Sequence, residues 1–90
     1  MNTYEIDASG QAKDPRSYTV VASFDDSGNI RSPSYQQMGR VDPDGTVYDS
    51  TNRQIGRVDS DGTVYDAQNS QIGKVEPPNV HRHGALMLLL

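Results

Sequence analysis

The sequence predicts an all-β fold, a meander of short hairpins with a period of about 17 residues and no substantial helix. Three observations carry this reading. A 17-residue unit running from Gly39 to Ile55 is repeated at once from Gly56 to Ile72, and a third copy opens at Gly73-Lys74-Val75-Glu76-Pro77 and breaks off. Turn residues recur at fixed places in each copy: Asp42-Pro43-Asp44-Gly45 and Asp59-Ser60-Asp61-Gly62 at one end, Asn52 and Asn69 at the other. Nothing in the repeats has helical periodicity.

Taken in order, Tyr4-Glu5-Ile6 reads as a short strand and Ser9-Gly10 as a turn. Lys13-Asp14-Pro15-Arg16 is loop-like, because a residue before proline is biased away from the helical region. Ser17 to Phe24 is rich in β-branched and aromatic residues and is the clearest strand of this part. Phe24-Asp25-Asp26-Ser27-Gly28-Asn29-Ile30 echoes Tyr48 to Ile55 and Tyr65 to Ile72, each having an aromatic, an aspartate, a polar turn and an isoleucine. Ile6 to Ala12 fits the same outline more loosely, so about four petals are expected, two regular and two degenerate. Ser32-Pro33-Ser34 separates the two kinds.

From Gln37 the strands are short. Pro43 presets φ for a type I turn and Gly45 supplies the left-handed residue of a bulged hairpin, while Asn52 and Asn69 take left-handed positions in the opposite turns. Alternation puts Gly56 and Val58 on one face and Ile55 and Arg57 on the other. Each petal is thus apolar on both faces, which requires packing around a common axis or against another chain. Gly39, Gly56 and Gly73 fit close backbone approach at that packing. Residues 1–36 are read as an irregular N-terminal β segment, 37–78 as the tandem hairpins and 79–90 as an apolar C-terminal strand, all in one domain. The last six residues, Ala85 to Leu90, are all apolar, and an exposed strand of that kind invites aggregation. The tail is therefore expected to be buried, as a central plug or in a subunit interface, with Val80, Leu86, Leu88, Leu89 and Leu90 as interface residues.

The repeated Gly-Arg-Val-Asp-x-Asp-Gly-Thr-Val-Tyr-Asp unit, followed by Pro77-Pro78 and a leucine-rich end, resembles the bacterial four-fold beta flower family over roughly residues 39–90. The resemblance implies hairpin petals around a pseudo-symmetric centre. It implies no activity and transfers no functional residue.

Composition narrows the function. A chain of 90 residues with 33% hydrophobic content and no tryptophan has little to bury as a monomer, so a homo-oligomer is expected. The absence of cysteine excludes disulfides and thiolate metal sites. A net charge of −4 with dispersed acids argues against nucleic acid as a partner. The longest apolar run is too short to span a bilayer, and the first residues show neither a basic nor an apolar signal region; a cytoplasmic location is the expectation.

The candidate chemistry is sparse. Asp42-x-Asp44-Gly45 and Asp59-x-Asp61-Gly62 suggest calcium, but an EF-hand register would place Arg40 or Arg57 where an acid is needed. The bulged-turn reading explains them better. His81 and His83 would share one side of a strand, yet two ligands fall short of a zinc site. No catalytic constellation is present, so neither an enzyme nor a cofactor is expected. Arg40 with Asp49 and Arg57 with Asp66 read as rim ion pairs. Tyr48 and Tyr65, at equivalent positions, read first as core residues and alternatively as a sugar-stacking ladder. The sequence thus points to a self-associating structural or protein-interaction module, with a carbohydrate- or cell-wall-binding module using the repeated tyrosines as the alternative.

Overall fold

Two kinds of turn alternate along the chain and fold it into a meander. The computed structural model describes residues 2–90. Among these, nine strands pair antiparallel in strict sequence order: β1 (Glu5–Ile6), β2 (Gln11–Lys13), β3 (Val20–Phe24), β4 (Asn29–Arg31), β5 (Gln37–Val41), β6 (Thr46–Asp49), β7 (Gln54–Val58), β8 (Thr63–Asp66) and β9 (Gln71–Lys74). The N-terminal third is therefore part of the same sheet as the regular repeats.

In the inner turns an aspartate carbonyl accepts the N–H of a glycine three residues on, at 2.9–3.1 Å: Asp7 with Gly10, Asp25 with Gly28, Asp42 with Gly45 and Asp59 with Gly62. These glycines have φ between 87° and 93°, the left-handed region that closes a bulged hairpin. Each glycine carbonyl then accepts an N–H from the next unit, those of Phe24, Val41, Val58 and Val75, at 2.7–2.9 Å. A Cβ at Gly45 would stand 2.1 Å from the Val58 carbonyl oxygen, so the backbones meet too closely for any side chain. The outer turns repeat the bulged geometry with Tyr18, Tyr35, Asn52 and Asn69 at the left-handed position, φ 57–70°. Asp49 and Asp66 each accept two backbone N–H groups of their own turn, as Asp7 and Asp25 do in the inner ones.

Laid over these turns, the chain shows an apolar residue followed by an acid five times: Ile6-Asp7, Phe24-Asp25, Val41-Asp42, Val58-Asp59 and Val75-Glu76. We number the units one to five from these pairs. The expected four petals are thus five, the last a half-petal built on β9. The echo beginning at Phe24 aligns with Val41-Asp42, not with Tyr48-Asp49, because it leads into a glycine turn.

The tail is a helix, α1 (Val80–Leu89), and not the expected strand. Ala, Leu and Met are strong helix formers, and Pro77-Pro78 ends the meander just before it. The expected plug is correct in role. The sheet wraps around α1, burying His83, Gly84, Ala85 and Leu86 against Ala12, Ala22, Phe24, Ile30, Val41, Val47, Val58, Val64 and Val75. Gly39, Gly56 and Gly73 form a floor for the last helical turns, since a Cβ at these positions would meet Leu89 at 3.2 Å, Leu88 at 2.8 Å and Met87 at 2.8 Å. On the second face of the petals arginines cover the repeated tyrosines Tyr48 and Tyr65, while Ile72 on β9 stays exposed.

Between units one and five the Asn2 side chain acts as a clasp. Its amide nitrogen donates to the Glu76 carbonyl and its oxygen accepts the Glu76 N–H, both at 2.8 Å. Beside it lies a cavity of about 200 Å³ lined by Tyr4, Val75, His83, Leu86 and Leu90 among others.

Candidate functional site

The outer rim and the end of the helix hold the side chains that the core does not use. On the rim, register places Arg40 opposite Tyr48 and Arg57 opposite Tyr65. Each guanidinium lies over its partner ring, 3.9 and 4.0 Å from the ring centre. Arg40 also donates to Asp42 at 2.8 Å and to Asn52 at 2.9 Å; Arg57 donates to Asp59 and, at 2.9 Å, to Asn69. One arginine thus ties strand, inner turn and outer turn together. The arginines do not pair with Asp49 and Asp66 as the sequence suggested, because those carboxylates are turned onto their own backbone. Tyr48 and Tyr65 are half-buried in these stacks, neither core nor a free ladder, and one face of each ring is covered by its own arginine.

Unit two departs from this arrangement. Ser23 stands where units three and four have arginine, and Arg31 stands where they have tyrosine. Arg31 turns to Asp25 at 2.8 Å, and that hydrogen bond above all holds the Asp25 carboxyl down at about 2. The outer-turn position held by Asn52 and Asn69 is Tyr35 here and Tyr18 in unit one, exposed to 78% and 75%. Sequence reading missed both tyrosines; their 17-residue spacing to Asn52 and Asn69 is the signal that locates them.

The inner turns surround the first half of α1. His81 faces Gly45, Arg82 lies near Gly10 and 5.2 Å from the centre of the Phe24 ring, and Val80 faces Gly62. The histidines do not share a face, since residues two apart on a helix point in different directions. His83 is buried and desolvation lowers its pKa from the ordinary 6.5. The carboxylates of the supposed calcium motif are engaged: Asp44 and Asp61 accept the N–H groups of Thr46 and Thr63, and Asp42 and Asp59 accept from arginine.

Of the expected interface residues, Leu86 is core at 1% exposure and cannot meet another chain. Val80, Leu88 and Leu89 are half-buried against the sheet. Leu90 is exposed, as are Met87 beside it and Ile72 on β9, next to the Gly73 on which Met87 rests. No helix among the described residues is long and apolar enough to cross a membrane.

Four apolar–acid pairs at the inner turns and a fifth, Val75-Glu76, just after β9, together with the match of residues 4–88 to the family described as 5-fold beta-flower protein, decide the family. The chain belongs to it. The resemblance to the four-fold group is corrected to five-fold, and it extends over the N-terminal third that the four-fold reading left out. Neither curated proteins nor solved structures gave a match. As a 5-fold beta-flower protein, the chain is a structural repeat module.

Proposed function

We propose that this beta-flower works without catalysis, as a protein-interaction module that pairs with a second copy of itself through the end where α1 emerges. The observation that carries the reading is the gathering of exposed apolar groups there. Met87 and Leu90, exposed to 38% and 51%, flank the half-buried Leu88 and Leu89 at the end of α1, and Ile72, 46% exposed, adds an apolar group on the outer face of the adjoining strand β9. Beside them β9 pairs, among the described residues, only with β8, leaving the kind of strand edge that proteins normally cover or charge. A second copy brings both an apolar patch and an edge of the same kind, which suits a two-fold, self-complementary contact. The dispersed net charge of −4 supports a protein partner over nucleic acid. The sugar ladder on Tyr48 and Tyr65 loses support from the arginines that lie on those rings.

Light scattering across a dilution series tests the reading. A dimer that becomes a monomer in Leu90→Glu, with unchanged helix and strand signals, is the expected result. A wild-type chain that stays monomeric up to millimolar concentration overturns it.

A further inference from the structure

The replacement of arginine by Ser23 in unit two leaves a cleft where units three and four are filled. There the arginine runs from its strand over the tyrosine ring to the outer-turn asparagine. Ser23 is too short to make that crossing, and Arg31 opposite it is drawn away to Asp25. A cleft of about 180 Å³ results, lined by Gln11, Val20, Ser23, Ser32, Pro33 and Tyr35.

Its chemistry is specific. None of the six lining side chains is charged. Among the described residues, no hydrogen-bond partner occupies the Gln11 side-chain amide or the Ser23 hydroxyl. The Ser32 hydroxyl is held in place by the Gln36 N–H at 3.2 Å and by Ser34 at 2.9 Å. At the mouth stands Tyr35, 78% exposed and carried at φ 67°, where bulky residues are outliers. An outlier of this kind at a surface cleft points toward function. The volume is below the roughly 300–1,000 Å³ of drug-sized pockets, so it suits one ring.

We infer that this cleft binds a single neutral pyranose unit of a glycan, with the Tyr35 ring against one face of the sugar and Gln11, Ser23 and Ser32 on its hydroxyls. A pyranose has an apolar face for the tyrosine and an equatorial fringe of uncharged donors and acceptors for the amide and hydroxyls. A nucleotide would bring phosphate to a cleft whose lining has no cation. Tyr18, at the equivalent tip of unit one and two residues before Val20, offers a second aromatic platform for the next sugar. This site is separate from the proposed self-association surface on β9 and α1.

Amide NMR titration of the full chain with maltotetraose, cellotetraose and chitotetraose, each to millimolar concentration, is the test. At least one sugar is expected to shift Gln11, Ser23 and the Ser32 to Tyr35 turn. Tyr35→Asn installs the residue that units three and four carry in the same left-handed turn and weakens that binding about tenfold. Ser23→Arg refills the cleft and abolishes it with the thermal midpoint unchanged, while Tyr48→Phe leaves binding as it was. No shift with any of the three sugars, shifts centred on Tyr48 and Tyr65, or full binding in both Tyr35→Asn and Ser23→Arg overturns the inference.

Discussion

Units two and three share turns, register and core positions, yet their rims differ. In unit three Arg40 bridges Tyr48, Asp42 and Asn52 and leaves the rim filled. In unit two the same positions are Ser23, Arg31, Asp25 and Tyr35, and the result is a cleft with an exposed ring at its mouth. The inner-turn glycines and the residues packed around α1 carry the fold in both. The rim is therefore free to vary without cost to the core, and the less regular units are where specific binding can develop.

A change in the shared core should erase the contrast. Leu86, 1% exposed and surrounded by the sheet, contacts the core that all units contribute to. Leu86→Ala is expected to cost about 2–5 kcal/mol in urea unfolding, with tyrosine fluorescence and circular dichroism following one coincident transition. A smaller effect is expected where the units differ beneath the helix. Gly56→Ala would place a Cβ 2.2 Å from the Tyr65 carbonyl oxygen and 2.8 Å from Leu88, an overpacking worth about 1–3 kcal/mol. The equivalent residue in unit two is already alanine, fully buried Ala22, and Ala22→Gly should cost only about 1 kcal/mol or less.

Acid should act on the units in two windows. Burial lowers the His83 pKa, so the folded state resists its protonation and stability begins to fall as pH drops below 6.5. Asp25 is held at about 2 against an ordinary 3.8; its contribution is complete above 3.8 and disappears as pH falls toward 2. Asp7, Asp44, Asp49 and Asp61 are lowered by their turn hydrogen bonds and act in the same direction. Melting temperatures measured from pH 8 to pH 2 should show both slopes, with Asp25→Asn flattening only the lower one. The smallest expected effect is on the rim. Arg57→Gln removes a stack and partly exposed hydrogen bonds and should cost no more than about 1 kcal/mol by chemical denaturation.

The turns were legible because their chemistry is local: an aspartate with a glycine three residues on, or Asn52 and Asn69 at left-handed positions, needs no tertiary context. The close approach at Gly39, Gly56 and Gly73 was readable for a different reason, since a glycine recurring inside strands marks a place where another part of the chain comes near, though not that the neighbour is a helix. The fivefold count was obscured because Phe24-Asp25 looks like Tyr48-Asp49 until Gly28 is used to set the alignment. The tail was misread because a run that is apolar at every position, the exposed Met87 and Leu90 included, has no polar stripe to reveal a helical period. Unlike the outward-turned Leu90, Leu86 lies wholly inside the flower, a distinction that needs the packed structure. The cleft at Ser23 was invisible in sequence because it is defined by a missing arginine, and only the spatial superposition of units shows what is missing.

The account rests on α1 being the element around which all five units close. Removing residues 79–90 and recording the amide NMR spectrum of the remaining chain tests this most directly. The account predicts collapse of the dispersed β-sheet resonances and loss of cooperative melting; a truncated chain with an unchanged dispersed spectrum and the same melting temperature would contradict it.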